Sequence, residues 1–544
     1  MSVAAPSAAS AADDSNAALN ALVRARIAEE NSEPAEALSA LSALASHAPE
    51  LPGVRRRMLE QAIEAGDLAA ARNAASQLWN EGERRFDAQL VLLVDAMRRS
   101  DWAAARGYLR GRSDKSGGDV IAQLIEPSFN AWIDVGARQK MPHRHLLAAS
   151  GPARTEPALA LEGALVRLAV RDTAEALRLI DEIVLTDRTS QVVALRVAAT
   201  LDQSGQADAA ERLRKRIALA AGAREDPLLL LPDQSVATPR AGTALWLALL
   251  ADGLARTPNA NPKVPLLFAR AAFWLNDGDW LVRTALVEAL AANEQASDAL
   301  ALTAAPRGGT TPRVLAMRRA ELLAEAGDFA AALPIAEEAA AQSPRARSLY
   351  VRFADLARRA KDADAAARAY AGIEATLGDG DDDMALRATL LVARAELLLE
   401  ADDWEGAAPL LERAVALRPS DAQILNYAGY SALERRQNVE QSLARIKMAW
   451  EQQPTNAAIT DSLGWAYFLT GRVDEAVPLL ERAQLGEPTN AVIVEHLGDA
   501  YWEAGRKFQA RYVWRAAALL ADADAATRIE AKLRDGLTPA TIAP

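Results

Sequence analysis

The segment Gly66-Asp-Leu-Ala-Ala-Ala-Arg72 recurs 34 residues later as Ser100-Asp-Trp-Ala-Ala-Ala-Arg106. Each copy lies between two stretches of helical length with apolar residues at helical spacing, so each is interpreted as the turn of a helical hairpin. A fixed period of about 34 residues is typical of repeat architectures, because one hairpin alone buries too little apolar surface to be stable. The two segments therefore predict an array of stacked helix pairs.

Similar turns follow one another along the whole chain. They fall at Ser32, Gly66, Ser100, Gly136, Arg171, Gly205, Pro258, Asn293, Gly327, Lys361, Asp402, Arg436, Gly471 and Gly505. Eleven of the thirteen spacings are 34 to 36 residues, and the other two are 53 and 41. The pattern predicts an all-α fold, a right-handed α-solenoid of about fourteen helix-turn-helix units.

The two long spacings mark interruptions. Arg224–Arg240 has proline near both ends, and we expect its apolar run, Leu228–Leu231, to pack in a groove. Gly378–Asp383 is interpreted as an acidic surface insertion. The predicted organisation is a flexible tail (1–14), divergent repeats (15–220), an irregular insert (221–242), divergent helical pairs (243–312), well-formed repeats (313–522), and a capping helix with a tail (523–544).

Composition narrows the possible functions. The net charge is -12, and there is no cysteine. Residues 1–220 carry 27 basic and 29 acidic side chains and the remainder 34 and 44, so the acidity lies in the C-terminal part. An acidic surface repels phosphate backbones, which disfavours nucleic acid as a partner. No apolar run approaches the length of a membrane span.

Signatures of catalysis and of metal or cofactor binding are weak. His143 and His145 have no third ligand at metal-binding spacing. Asp379–Asp383 lacks the rest of a calcium loop, since Met384 replaces its glycine and Leu390 its final glutamate. No phosphate-binding loop or serine nucleophile elbow is present. The sequence predicts a non-enzymatic protein without cofactor or metal.

The C-terminal repeats resemble the tetratricopeptide repeat. In that pattern a large residue precedes a small one, an aromatic residue follows three positions on, and small residues mark the second helix. The last two units match at Leu463-Gly464, Tyr467, Ala476, Leu480, Ala483 and Pro488, and at Leu497-Gly498, Tyr501, Ala510, Trp514 and Ala517. The run from Asn426 to Arg506 is also similar to the C-terminal module of bacterial tetratricopeptide proteins, some of which are envelope adaptors that deliver substrates to a carboxyl-terminal processing protease.

This resemblance implies a protein-interaction scaffold or adaptor whose first helices line a concave, peptide-binding groove. Its inward positions give the candidate groove residues Asn426, Tyr430, Asp461, Trp465, Phe468, Glu495, Asp499 and Trp502. Aromatic anchors among carboxylates suit a basic or apolar protein segment. In chaperone-binding relatives a clamp lysine is expected where Asp461 and Glu495 stand, so an acidic ligand is disfavoured. The alternative interpretation places Trp465 and Trp502 in the core.

Two other functions and two compartments stay open. A peptide-sensing regulator would have the same repeats, and an RNA-binding helical repeat would need a basic groove. Residues 1–14 lack the basic and apolar regions of a signal peptide, which predicts a cytoplasmic protein. Ala-Ser-Ala before Ala12 resembles the end of a secretory signal, so a truncated start would make the protein periplasmic. The partner and the oligomeric state are open.

Overall fold

The computed structural model describes residues 8–110, 120–149, 156–222, 226–304 and 309–543. Within these ranges there are 29 α-helices, one 3-10 helix and no β-strand. The chain divides into two compact units, Met1–Leu356 and Ala357–Pro544. The predicted all-α helical-repeat fold is confirmed. No helix in the described ranges combines the length and the apolar character that crossing a membrane requires.

The first unit contains eighteen complete helices and the start of another. They are α1 (Ala8–Glu30), α2 (Pro34–His47), α3 (Val54–Ala65), α4 (Leu68–Asn80), α5 (Phe86–Arg98), α6 (Trp102–Arg110), α7 (Val120–Gly136), α8 (Arg144–Ala149), α9 (Pro157–Ala169), α10 (Thr173–Glu182), α11 (Arg188–Gln203), α12 (Ala207–Ala221), α13 (Pro239–Ala255), α14 (Lys263–Leu275), α15 (Trp280–Ala291), α16 (Ala296–Thr303), α17 (Arg313–Glu325), α18 (Phe329–Ala341) and the start of α19 (Arg347–Arg359). The 3-10 helix is Pro227–Leu230.

The second unit contains the end of α19 and ten further helices. They are α20 (Ala363–Ala375), α21 (Asp381–Glu400), α22 (Trp404–Leu417), α23 (Ala422–Glu434), α24 (Val439–Gln452), α25 (Ala457–Leu469), α26 (Val473–Gly486), α27 (Ala491–Glu503), α28 (Lys507–Leu520) and α29 (Ala523–Asp535). Helices α1 to α18 pack as nine successive pairs and α21 to α28 as four, and α29 follows them. Of the predicted flexible tail, residues 8–14 belong to α1, and residues 1–7 lie outside the described ranges.

Each pair turns through a residue in the left-handed backbone region. These residues have φ values between 53° and 85°, and eleven of the fourteen are the ones that the sequence marks as turns. The other three are Arg138, Asn259 and Glu294, which lie one or two positions after the marked residue. This conformation lets the amides of Gly66 and Asp67 bond the carbonyls of Ile63 and Ala62, which closes the preceding helix. The period in the sequence is thus a period of helix endings.

The glycine of the Leu-Gly pattern is required by close helix contact. A Cβ atom on Gly464 would lie 2.8 Å from Leu480 Cγ, and one on Gly498 would lie 2.3 Å from Trp514 Cδ1. Both distances are shorter than a carbon–carbon contact allows. The two helices of a pair can therefore approach this closely only where one of them has a glycine.

The interruptions have structural roles. The 3-10 helix packs against α11 and α17, and Leu228 and Leu231 are buried, as the apolar run predicts. The acidic insertion supplies the first turn of α21, where Asp383 accepts a hydrogen bond from the Gly378 amide at 2.7 Å. Carboxylates at this end of a helix are stabilised by its dipole. Asp381–Asp383 therefore serve the helix start.

The first unit also contains contacts that a linear array lacks. Helices α13 and α14, the seventh pair, pack against α3, α5 and α7 from the second to fourth pairs. Arg270 donates a hydrogen bond to the Glu64 carbonyl at 2.7 Å, and Trp274 donates one to the Gly66 carbonyl at 3.1 Å. In an ideal solenoid each repeat touches only its neighbours. The first unit is therefore closed on itself by long-range packing.

The turn conformation gives a first prediction. Gly205 has a φ of 79° with open space where a Cβ would be, so replacing it with alanine tests the backbone alone. We expect Gly205→Ala to lower the free energy of unfolding by about 1 kcal/mol, because alanine is strained in the left-handed region. Urea unfolding followed by circular dichroism measures the change.

The matched control is Gly253→Ala. Gly253 lies inside α13 and also has open space around its Cβ position. Alanine is the better helix former, so this variant should gain roughly 0.5–1 kcal/mol. Equal effects of the two substitutions would contradict the role assigned to the left-handed turn.

Candidate functional site

The candidate groove residues lie on three consecutive first helices, α23, α25 and α27. Each helix starts at an Asp or Asn whose side chain accepts hydrogen bonds from backbone amides of the first turn, namely Asp421, Asn456 and Asn490. Such caps fix where a helix begins. The candidates occupy equivalent positions relative to the left-handed residue of the turn that follows each helix. Those ten residues before it are Asn426, Asp461 and Glu495. Those six residues before it are Tyr430, Trp465 and Asp499, and those three residues before it are Phe468 and Trp502.

Most of these side chains are covered by other parts of the chain. Five are buried, namely Asp461, Trp465, Phe468, Glu495 and Asp499, and three are partly exposed, namely Asn426, Tyr430 and Trp502. The structure thus brings the residues together on one face, but their partners belong to the protein itself. Whether they also bind another protein stays a prediction.

An aromatic stack centred on Trp465 joins α25 to α27. The ring of Trp465 lies parallel to Phe468 at 4.6 Å and to His496 at 3.9 Å between centroids. His496 Nδ1 is 2.9 Å from Asp461 Oδ2. Burial alone would lower the pKa of His496, but the carboxylate of Asp461 outweighs it and the net shift is upward. The imidazolium is therefore favoured between an acid and an aromatic face.

Glu495 and Asp499 form ion pairs with α29. Lys532 is fully buried, with its Nζ 2.6 Å from Glu495 Oε1 and 2.7 Å from both oxygens of Asp499. Arg528 makes two further hydrogen bonds to Glu495, at 2.9 and 2.8 Å. Burial works to raise the pKa of Glu495, but Arg528 and Lys532 together lower it. For Asp499, burial dominates and raises the pKa despite Lys532.

Trp502 lies at the end of the face, where the chain turns back across it. Its ring centroid is 5.3 Å from that of Trp514, and the cations of Lys507 and Arg511 lie 5.0 and 5.6 Å from its ring. A Cβ on Gly536 would be 2.3 Å from Trp502 Cζ2. Gly536, with a φ of 86°, therefore lets the backbone leave α29 in close contact with the indole.

After Gly536 the chain returns over α25 and α27. Leu537, Ile542 and Ala543 join the apolar cluster that contains Trp465 and Phe468. The amide of Ala543 donates a hydrogen bond to Asp499 Oδ2 at 3.0 Å. The candidate groove at these two helices is therefore occupied by residues 537–543 of the same chain.

The face at α23 and α21 is more open. Burial raises the pKa of Tyr430, which also hydrogen-bonds Glu434. Asn426 Oδ1 is buried and has no hydrogen-bond partner among the described residues. At the position equivalent to Tyr430, α21 carries Glu396, which borders a cavity of about 340 Å³ together with Glu400. This part of the face holds polar and aromatic groups that a bound segment could contact.

Neither histidine of the weak metal motif lies in a cluster of ligands. His145 Nε2 is 2.9 Å from Asp134 Oδ2, within an ion-pair group that includes Arg106. Across the described ranges, no three His, Cys, Asp or Glu residues come together as metal ligands.

The residues that cover the face are not evident from sequence pattern, namely His496 as a stacking partner, Arg528 and Lys532 as counter-ions, and Leu537 and Ile542 as apolar anchors. One signal was present. Arg528 and Lys532 are four residues apart, so they lie on one face of α29 beside Ile529. They follow Glu495 by 33 and 37 residues, which is about one repeat length. This separation indicates that α29 packs where the next first helix would lie.

A second prediction concerns the buried ammonium. Lys532→Met removes the counter-ion of Asp499 and one of the two for Glu495, and leaves buried carboxylates behind. Breaking a buried pair in this way costs about 3–5 kcal/mol, so α29 should detach and its amides should exchange hydrogen faster. Arg534→Met on the same helix is the matched control, since Arg534 is exposed and pairs with exposed Asp535. Equal protection of α29 amides in both variants would contradict the assignment.

A third prediction follows from His496. Its pKa is 6.5 in an unfolded chain and higher in the folded one, so its contribution to stability is complete below pH 6.5 and is lost as the pH rises through the folded pKa. Between pH 6 and pH 9 the wild type should lose more stability than His496→Gln, as measured by urea unfolding. His47→Gln, at an exposed histidine, should keep the wild-type slope.

Comparison with known proteins gives partial structural similarities. MamA from Desulfovibrio magneticus RS-1 is 17% identical, with 32% of this chain and 94% of that chain covered and a TM-score of 0.27. YrrB, described as a TPR protein with an unusual peptide-binding site, is 18% identical, with 34% and 90% covered and a TM-score of 0.26. A chain of the APC/C hetero-tetramer Cut9–Hcn1 is 12% identical, with 95% and 96% covered and a TM-score of 0.34.

No protein-family model and no curated protein matches the sequence. The structural similarities are too distant to indicate a function. The fold is instead established by the described helices: successive packed pairs, a left-handed residue at each turn, and glycines at the close contacts. By this fold the protein is an all-α helical-repeat protein.

Proposed function

We propose that this protein is a non-catalytic scaffold or adaptor that binds a basic or apolar segment of another protein on the first-helix face of α21, α23, α25 and α27. The observation that carries the proposal is that residues 537–543 of the chain already lie on this face. They contact it through aliphatic side chains and one backbone amide. A surface that holds a short apolar segment of its own chain has the shape and chemistry to hold one from a partner.

The chemistry of the face supports this choice of ligand. Trp465 and Phe468 belong to the apolar cluster that Leu537 and Ile542 join, and carboxylates line the same helices at Asp461, Glu495 and Asp499. The segment that covers the face has the complementary composition, with Arg528 and Lys532 for the acids and Leu537 and Ile542 for the aromatic cluster. Aromatic anchors give contact area with little loss of side-chain entropy.

The open part of the face is the place where a partner would first bind. On α23, Asn426 and Tyr430 are partly exposed, and on α21 Glu396 and Glu400 border the cavity described above. Glu396 is paired with Arg358 at 3.2 Å, so Glu400 and the ring of Tyr430 are the groups offered to an approaching segment. The envelope-adaptor role rests on the sequence resemblance of α23–α28 alone, and the compartment stays a sequence-based prediction.

The fourth prediction tests the face directly. Gln423 is an exposed residue near the start of α23, at the rim of the face, and can be replaced by a photo-crosslinking amino acid. We expect adducts in cells whose partner peptides, mapped by mass spectrometry, are apolar or basic segments. Placing the crosslinker there avoids Glu495 and Asp499, whose replacement would also disrupt the docking of α29.

The control places the same crosslinker at Met448, which is 47% exposed on the second helix α24. Partners that appear equally at both positions would indicate non-specific contact. Adducts confined to Met448, or partner segments at Gln423 that are consistently acidic, would overturn the proposed function.

A further inference from the structure

The segment from Ala523 to Ala543 has two parts that are held very differently. Helix α29 is held firmly, since Lys532 is fully buried between two carboxylates and Ile529 is fully buried against the cluster of Val494 and Trp514. Removing either side chain from such a site leaves an unpaired charge or a cavity. Helix α29 is therefore a permanent cap on the last repeat.

The part after Gly536 is held by much less. Thr538, Pro539 and Ala540 are exposed, and Leu537 and Ile542 are only partly buried. Its turn is closed by its own groups, with the amides of Thr541 and Ile542 bonded to the Thr538 carbonyl at 2.9 and 3.1 Å. The described hydrogen bond that links this part to the face is the one from Ala543 to Asp499. Segments with few buried contacts open at low free-energy cost.

Gly536 separates the two parts and can act as a hinge. Its backbone has φ 86° and ψ 178°, a conformation that only glycine adopts readily, and it lies directly after the last residue of α29. A change of backbone angles at this one residue would move residues 537–543 away while leaving Lys532 in place. Beneath them, the apolar surface of Trp465, Phe468 and Leu497 would become available.

We infer that residues 537–543 are an exchangeable occupant of the face, and that the partner segment which replaces them is apolar and contains a similar turn, with aliphatic side chains spaced like Leu537 and Ile542. This inference rests on the proposed function, because it concerns the same face. It specifies the class of ligand that binds at α25 and α27. It also identifies residues 537–543 as the segment that this ligand must displace. Asp499 accepts a backbone amide from whichever segment is bound.

Residues 537–543 compete with a separate peptide for the face, so the exchange can be measured through the affinity of that peptide. A short tether gives residues 537–543 an effective concentration in the millimolar range at the face. A separate peptide binds only to the fraction of molecules in which the face is vacant, so its apparent affinity is reduced by that fraction. A substitution that weakens the tethered segment should therefore strengthen binding of a separate peptide.

The fifth prediction uses the full chain and a fluorescein-labelled peptide with the sequence of residues 536–543. Ile542→Asp removes an apolar anchor from the tethered segment, and we expect fluorescence anisotropy to show binding at least tenfold tighter than to the wild type. Leu519→Asp is the matched control, because it makes the same kind of change at a residue that is 88% exposed on α28. It should behave as the wild type does.

Adding Phe468→Leu to Ile542→Asp tests whether the peptide binds on this face. Leucine removes the aromatic ring of Phe468 but keeps an apolar side chain there. The double variant should lose the gain in affinity and keep its helical circular dichroism. No binding to Ile542→Asp at millimolar peptide, or equal binding to all variants, would overturn the inference. Its failure is distinguishable from that of the proposed function: crosslinks at Gln423 can map to partners while the peptide does not bind, or the reverse.

Discussion

The fold depends on one backbone constraint, a single left-handed residue at the turn of every helix pair. Because eleven of the thirteen sequence spacings are 34 to 36 residues, helix ends recur in register and equivalent positions on successive first helices face the same way. Residues ten, six and three positions before each turn then line up across α23, α25 and α27. A shared face arises from this repetition without any residue being placed by a special local structure.

The pair formed by α27 and α28 has an apolar side that another element must cover. Helix α29 covers it, and buried Ile529 supplies the apolar contact. The cap also neutralises charge, since its Arg528 pairs with Glu495 and its Lys532 with Asp499, while Asp461 is paired with His496 of α27. Each of these three buried carboxylates is paired with a basic group. Without such pairing, burying a carboxylate in a repeat interface would cost too much free energy.

The local sequence pattern predicts the all-α fold, the turns and the shared face, because the helical spacing of apolar residues and the residue types at turns are set within a few residues. The Leu-Gly dipeptides also indicated close helix contacts, and Gly464 and Gly498 make them. The long-range elements were not predictable in this way. The closure of α13 and α14 on earlier pairs depends on Arg270 and Trp274 meeting carbonyls about 206 residues away, for which no periodic signal exists. The return of residues 537–543 across the face depends on the glycine at 536, which resembles any other helix end in sequence.

The internal pairing changes what the face can recognise. From sequence, the carboxylates at Asp461, Glu495 and Asp499 favoured a basic ligand, but in the structure each of these charges is balanced within the chain. A partner at α25 and α27 would gain little from added positive charge, because Lys532 and Arg528 already satisfy the acids. What it can gain is the apolar surface beneath Leu537 and Ile542. Glu396 and Glu434 on α21 and α23 are balanced in the same way, by Arg358 and Arg435, so charge gives the proposed ligand little selectivity there either.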